Sequence, residues 1–244
     1  SFNVYFLNKN HYKLRFMIRR FLPLALSFLI YIPVFCQSSN IVDIERPTGI
    51  WHMLFYNKQF SDSQFGIQGD FQDRNWDLNG DFEQRLIRNG VTFKPNDSKL
   101  LLTLGYGNIQ SRIEGSDSDR EQEHRIYQEA LIPWNINNRI STSHRYRFEQ
   151  RWIENNKIKT RHRYNLFLNF ALNQASFEKG TIYLSLYSEF FLYSWDIILE
   201  RLRLYSAIGY EFSEGSKLQI GVMRQYVGSN AKDQLQLSLH RLIK

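Results

Sequence analysis

The feature that most constrains this chain is a polar–apolar alternation with a period of two residues. Along residues 157–173, one set of alternate positions is mostly apolar or aromatic, and the interleaved set begins with Lys159, Arg161 and Arg163. Successive side chains of a β-strand point to opposite faces, whereas a helix would mix the two sets around its circumference. The pattern therefore predicts a strand with one apolar and one polar face.

The same alternation recurs through the rest of the chain. It predicts eleven strands at residues 49–60, 63–73, 77–94, 98–110, 120–135, 138–153, 157–174, 181–193, 199–213, 216–227 and 233–243. No helical or low-complexity stretch interrupts them, so the fold class is all-β, a single up-and-down antiparallel β-barrel. Because bacterial single-chain membrane barrels have even strand numbers, we expect about twelve strands, with a weak one at residues 41–45, and ten as the alternative.

The first 36 residues differ from this pattern. Five basic residues precede an uncharged apolar run at residues 21–35, and Cys36 and small polar residues follow it. This is the pattern of an export signal, and the run is shorter than the roughly 20 residues of a membrane-spanning helix. We expect residues 1–36 to be an N-terminal extension and cleaved signal peptide, with Met17 as an alternative start. Residues 37–48 would be an N-terminal segment or weak first strand, and residues 49–244 the barrel.

The net charge of the chain depends on that leading segment. The whole sequence has 31 Lys and Arg against 24 Asp and Glu. Five of the basic residues and none of the acidic ones lie in residues 1–36, which leaves 26 basic against 24 acidic residues. A nucleic-acid-binding protein normally carries a dominant basic face, so we predict no nucleic-acid partner.

The polar faces of the central strands are crowded with charges of both signs. The predicted interior charges are Glu123, Arg125, Glu129, Arg145, Arg147, Glu149, Arg151, Arg161, Arg163, Glu189, Arg201 and Arg203. Pointed inward, they can pair across strands around a hydrated lumen, since a guanidinium binds two carboxylate oxygens at once. The apolar faces would then contact lipid, which predicts a transmembrane barrel. In the alternative, a soluble lipocalin-like barrel, the charges would lie outside.

The connections alternate between two styles. Tight polar turns are predicted at residues 95–97, 136–138 and 214–216, and longer connections lie between them, the longest at residues 111–120. Membrane barrels have short periplasmic turns and longer outer loops. We therefore expect the tight turns to lie on the periplasmic side.

Four segments carry a family resemblance. EHRIYQ (123–128), HRYRFEQRW (144–152), RHRYNL (161–166) and DFEQRLIRNGVTFKP (81–95) resemble the domain-of-unknown-function 2490 family of outer-membrane barrel proteins, over roughly residues 51–242. The resemblance implies a barrel in the outer membrane of a Gram-negative bacterium. It implies no activity, catalytic residue or cofactor.

The predicted function is that of a membrane barrel whose Arg/Glu-lined lumen passes or binds small anionic solutes, because basic side chains in a pore favour anions. Its expected partners are outer-membrane lipid and, transiently, the outer-membrane insertion machinery. Two alternatives stay open: an outer-membrane lipid-modifying hydrolase, and a soluble periplasmic barrel that binds an apolar ligand.

Four histidines, at positions 124, 144, 162 and 240, are each followed by arginine. In the three central strands the alternation predicts that the arginine points inward and the histidine outward. A Ser–His–acid triad must converge in space, and the only combination considered, Ser141, His162 and Glu149, has no motif behind it. We therefore predict no enzyme activity.

The acidic stretch at residues 114–121 is the only segment that suggests a metal site. A calcium-loop register that begins at Asp117 places Gln122 where the turn glycine belongs and Gln128 where the closing glutamate belongs. We therefore predict a solvated loop, and neither a metal nor a cofactor.

Overall fold

The chain forms a closed β-barrel. The computed structural model describes residues 48–113, 116, 118–153, 157–193 and 198–243. Within these residues the fold is all-β, which confirms the predicted class, and none of them forms a helix long and apolar enough to cross a membrane.

The described residues form eleven strands, whose positions follow the alternating segments of the sequence closely. The strands are β1 Gly49–Gln59, β2 Phe65–Asn75, β3 Phe82–Phe93, β4 Leu101–Arg112, β5 Arg120–Asn135, β6 Ile140–Ile153, β7 Lys157–Ala171, β8 Ile182–Tyr193, β9 Ile198–Ser213, β10 Ser216–Val227 and β11 Asn230–Ile243.

Each strand pairs antiparallel with the next along the chain, and the barrel closes between its first and last strands. This closing pair, β1 and β11, is parallel, with Gly49 opposite Gln234 and Lys58 opposite Ile243. A wholly antiparallel barrel was therefore a wrong prediction at this one seam. Neither twelve nor ten strands is confirmed: eleven described strands already close the barrel, and the predicted strand at residues 41–45 lies outside the described residues.

The parallel seam places the start of β1 and the end of β11 at opposite rims. We call them the Gly49 rim and the Ile243 rim. The connections do not sort between the rims by length, contrary to the prediction. The longest, residues 172–181, lies at the Ile243 rim, where tight turns were expected, and the Gly49 rim includes the two-residue turn at 228–229. Gly215 and Gly228 have positive φ, as two-residue hairpin turns require.

The two faces of the sheet have opposite chemistry. Inward-pointing positions carry the buried polar and charged residues, whereas outward-pointing positions carry large exposed apolar residues such as Leu104, Ile220 and Val222. Leu104 and Val222 are 61% and 60% exposed. The barrel is therefore polar inside and apolar outside.

Two inward-facing tyrosines lie over glycines on the neighbouring strand. Tyr127 stands directly opposite Gly105, and Tyr183 directly opposite Gly209. A Cβ atom at either glycine would overlap the tyrosine ring. The ring of Tyr127 is covered on its other side by the guanidinium of Arg147, 4.4 Å from its centre. The glycines thus let the rings lie flat against the barrel wall.

Gly105→Ala should destabilise the barrel by about 1–3 kcal/mol, because the added methyl forces Tyr127 off the wall. The free energy of unfolding can be measured by urea titration of the folded protein. The control is the same substitution in a Tyr127→Ala background, where the ring is gone and the cost should nearly vanish. Equal costs in the two backgrounds would contradict the packing role.

Candidate functional site: the barrel interior

All twelve predicted interior charges lie inside the barrel. Nine of them are at most 6% exposed. The other three, Arg145, Arg151 and Arg201, are less deeply buried, with 20%, 14% and 26% of the side chain exposed. The strand pairing brings them together from β5, β6, β7, β8 and β9, which are consecutive neighbours around the barrel.

Glu149 on β6 is the hub of this cluster and is fully buried. Its Oε2 accepts hydrogen bonds from Arg161, with Nη2 at 2.6 Å. Its Oε1 accepts one from Arg163 Nη1 at 2.7 Å and a longer one from Arg125 Nη1 at 3.3 Å. One carboxylate therefore serves three arginines on two neighbouring strands.

The other glutamates continue the network on both sides. Glu123 pairs with Arg125 and Arg151, each with Nη2 at 2.6 Å. Glu129 accepts a hydrogen bond from Arg147 Nε at 2.7 Å. The pairs Glu123–Arg151 and Glu129–Arg147 link β5 to β6, whereas Glu123–Arg125 lies within β5.

Glu189 on β8 extends the network toward β9. It contacts Arg163 at 2.5 Å, Arg145 at 2.8 Å and Arg203 at 3.4 Å. Several glutamates thus pair with more than one arginine, and these ion pairs connect neighbouring strands.

Glu200 belongs to the network but was missed by the alternation, which places it on the outer face. The register of β8 and β9 shifts here: Phe191 stands opposite Arg201, and Leu192 opposite Leu199. Glu200 is therefore the extra residue of a β-bulge, which re-aims a side chain. It pairs with Arg161 at 3.3 Å, and its side chain is 8% exposed. No sequence signal marks this bulge.

We call the complete network the charge belt. Its members are Arg125, Arg145, Arg147, Arg151, Arg161, Arg163, Arg201, Arg203, Glu123, Glu129, Glu149, Glu189 and Glu200. Arginines outnumber glutamates eight to five in this described set. The belt therefore carries a buried excess of positive charge.

A second charged group lies on β2 and β3, outside the predicted set. Arg88 donates to both oxygens of Asp70, with Nε–Oδ1 at 3.0 Å and Nη2–Oδ2 at 2.8 Å. Arg74 stacks on Trp51, 3.8 Å from its ring centre, and donates to Gln72 and Gln84. The alternation of Asp70, Gln72 and Arg74 is visible in the sequence, so this group could have been found.

A cavity of about 750 Å³ occupies the interior between the charge belt and the Ile243 rim. Arg145, Arg147, Arg163 and Arg203 line it on the belt side, and Leu242 lines it at the rim. Glu149 and Arg161, one step further toward the Gly49 rim, are buried and do not line it. Along β6 and β7 the cavity therefore ends at the belt, whereas along β1 and β2 its lining extends to Trp51 and Arg74 near the Gly49 rim.

The wall of the cavity is largely aromatic. Tyr187 and Tyr205 stack with ring centres 4.6 Å apart, and Phe167 meets Tyr187 edge-on at 5.7 Å. Trp51 and Met53 lie in the same apolar cluster as this tyrosine pair. The cavity thus combines an aromatic wall with a cationic end, and its volume falls in the range of small-molecule sites, roughly 300–1,000 Å³.

A family model matches most of the barrel sequence. The model of a family described as "Protein of unknown function (DUF2490)" matches residues 48–236, from the start of the barrel into β11. This chain belongs to the DUF2490 family. The family membership predicted from the sequence is thereby confirmed, while the family description names no membrane location. No curated protein and no solved structure matches the chain.

The outward histidines of this DUF2490 barrel bind tyrosines. His124 Nδ1 lies 2.5 Å from the hydroxyl of Tyr106, and the pairs His144–Tyr164 and His162–Tyr146 are each 2.7 Å apart. Each pair is diagonal between neighbouring strands on the outer face. The tyrosine and histidine polar groups thus satisfy one another on an otherwise apolar surface.

The triad considered from the sequence does not assemble in the DUF2490 barrel. Glu149 is buried inside, whereas His162 bonds a tyrosine on the outer face. The histidine of β11 has the opposite orientation: His240 lines the cavity, lies 3.0 Å from Ser238 Oγ through Nε2, and stacks on Phe55. The described residues provide no carboxylate hydrogen bond to its ring.

No group of three or more His, Cys, Asp or Glu side chains suited to a metal ion occurs among the described residues of the DUF2490 barrel. The acidic loop at residues 114–121 lies partly outside them, since positions 114, 115 and 117 are not described.

Proposed function

We propose that this DUF2490 protein is an outer-membrane β-barrel of a Gram-negative bacterium, and that its interior is a one-sided cavity for small anionic solutes rather than an open pore. The observation that carries the proposal is the inverted arrangement of the barrel, with charges inside and apolar side chains outside.

The outer face supports the membrane location. A soluble barrel has an apolar interior and a polar exterior. A contiguous apolar surface exposed to water promotes association with other proteins or with a membrane. Leu104, Ile208 and Val222 are among the large apolar residues on this face. The Tyr–His pairs support the same location, because polar groups in lipid need partners within the protein. These features favour the membrane barrel over the soluble lipocalin-like alternative.

The charge belt supports a binding role over conduction. It places mutually paired side chains of β5–β9 in the barrel interior beside the cavity, and this filling of the lumen favours a closed interior over an open pore. The excess of arginine in the belt favours an anion in the remaining space. Outer-membrane lipid and the insertion machinery are the partners that such a location requires.

The lipid-hydrolase alternative receives little support. Ser238 and His240 form the one contacting Ser–His pair among the described residues, but they lie within the cavity and without an orienting acid. A nucleophilic serine needs a base that a third group orients. We propose no catalytic role for them.

The proposal predicts two results for the purified protein. The folded barrel should migrate faster than the boiled protein on an SDS gel, and it should give no steady single-channel steps in a planar bilayer. A soluble extract without detergent and without a heat-dependent shift would contradict the membrane location. Stepwise conductance of a preparation that shows the shift would contradict only the closed lumen.

A further inference from the structure

The cavity contains hydrogen-bonding groups that the charge belt does not use. Nη1 of Arg145 makes no hydrogen bond within the described residues, although Nη2 of the same guanidinium binds Glu189 at 2.8 Å. Arg145 is the most exposed of the belt arginines that line the cavity, at 20% of its side chain. It therefore presents a free donor edge to the cavity.

Three deeply buried side chains of the same cavity each retain a polar atom without a hydrogen bond. They are Nη1 of Arg147, Oδ1 of Asn165 and the hydroxyl of Tyr205. Arg147 Nη1 has only a long ionic contact, 3.9 Å, with Glu149. A buried polar group without a partner is unfavourable. A carboxylate oxygen would accept hydrogen bonds from the two donors of this set, Arg147 Nη1 and the Tyr205 hydroxyl, after small side-chain movements, whereas Asn165 Oδ1 is itself an acceptor.

The charge of the cavity favours an anion. Its lining holds more basic than acidic residues: arginines at positions 74, 88, 145, 147, 163, 203 and 241 and Lys217, against Asp70, Glu129, Glu189 and Glu211. Uncompensated charge away from water is costly, and a bound carboxylate would compensate part of it. Arginine also suits a carboxylate geometrically, since its planar fork donates two parallel hydrogen bonds.

The aromatic wall specifies the rest of the ligand. Phe167, Tyr187 and Tyr205 stand directly opposite one another on β7, β8 and β9. The guanidinium of Arg145 lies 5.2 Å from the ring centre of Phe167, so the free donor edge adjoins this wall. Planar rings prefer offset stacking or edge contacts with other aromatic rings. A flat apolar body with a carboxylate at one end matches both surfaces.

We infer that the cavity binds an aromatic carboxylate, with the carboxylate on Arg145 and the ring against Phe167, Tyr187 and Tyr205. This inference rests on the proposed function and names the ligand class of the same cavity. The ligand enters from the Ile243 rim, where Leu242 lines the cavity.

The test is calorimetric titration of the folded barrel in detergent micelles with 2-naphthoate, after subtraction of a protein-free micelle titration. Two matched probes accompany it: 2-naphthalenemethanol, which lacks the carboxylate, and acetate, which lacks the ring. We expect 2-naphthoate to bind at least about tenfold more tightly than either probe, the scale of one charge-assisted hydrogen bond.

Arg145→Gln should weaken 2-naphthoate binding by about tenfold or more. The variant is suited to the test because Glu129 and Glu189 keep Arg147, Arg163 and Arg203 as partners, so the belt stays paired. The matched control is Arg201→Gln, which removes the same charge from a belt residue that does not line the cavity. Its affinity should stay close to that of the wild type.

The outcomes separate the two levels of the proposal. Equal binding of 2-naphthoate and 2-naphthalenemethanol, or equal loss in both variants, would overturn the carboxylate site but leave a binding cavity. Failure of 2-naphthoate to bind barrel that shows the heat-dependent gel shift would overturn the inference, and binding of acetate in the same preparation would leave the proposed role for small anions in place. Loss of the gel shift in the wild type would instead overturn the membrane fold.

Discussion

The Glu149→Gln barrel should unfold at a much lower urea concentration than the wild type, with a loss of about 3–5 kcal/mol in the free energy of unfolding. The substitution removes one carboxylate and leaves Arg125, Arg161 and Arg163 around a neutral amide in a fully buried position. Breaking a buried ion pair on one side is far more costly than the pair itself is stabilising, because the remaining charge stays away from water. The heat-dependent gel shift, followed against urea, measures the effect.

The matched control is Asp73→Asn, which breaks an acid–arginine pair of the outer face. Asp73 and Arg85 are 3.0 Å apart, with 28% and 49% of their side chains exposed. Exposed pairs of this kind contribute roughly 0–1 kcal/mol. A Glu149→Gln barrel as stable as the Asp73→Asn barrel would show that the hub carboxylate is dispensable.

The second large effect is expected on the outer face. Val222→Arg should prevent or strongly impair insertion into lipid vesicles, with a cost of roughly 2–4 kcal/mol, because an arginine on the lipid face at mid-depth lacks water and partners. Val222 is 60% exposed and lies in the middle of β10. The measurement is the fraction of protein that acquires the heat-dependent gel shift after refolding into vesicles.

The control for this prediction places the same arginine at a rim. Ile136 is 59% exposed and precedes the 137–139 turn, so Ile136→Arg should change insertion by no more than about 1 kcal/mol. A soluble barrel would tolerate arginine equally at both positions. Equal yields of the two variants would therefore refute the membrane location.

The strand positions could be predicted well from the sequence, because every strand of a barrel has one face inside and one face outside and therefore alternates between polar and apolar residues. The polar–apolar register of β6, for example, is readable from Arg145, Arg147 and Glu149 alone, and the structure places all three inside. A one-residue slip would turn the whole set outward. This is why strand positions and inward-facing charges could be predicted from local sequence.

Features that depend on pairing between strands could not be predicted in the same way. Glu200 faces inward only because a bulge against Phe191 and Leu192 shifts the register of β9. The expected strand count came from the even-number rule for bacterial membrane barrels and not from any residue, whereas the described strands close the barrel with eleven. Whether Nη1 of Arg145 has a hydrogen-bond partner depends on which carboxylates the neighbouring arginines already bind. That is a property of the assembled network.

The parallel seam between β1 and β11 has a kinetic consequence. Every other neighbouring pair of described strands is joined by one connection, so it can form as soon as its two strands exist. The seam instead pairs Gly49 with Gln234, which lie near opposite ends of the barrel sequence. Pairings between residues so far apart in the sequence form slowly. Until it forms, both edge strands expose unpaired backbone groups. We therefore expect this ladder to form last in assembly, and a short peptide that copies β11 to compete with it.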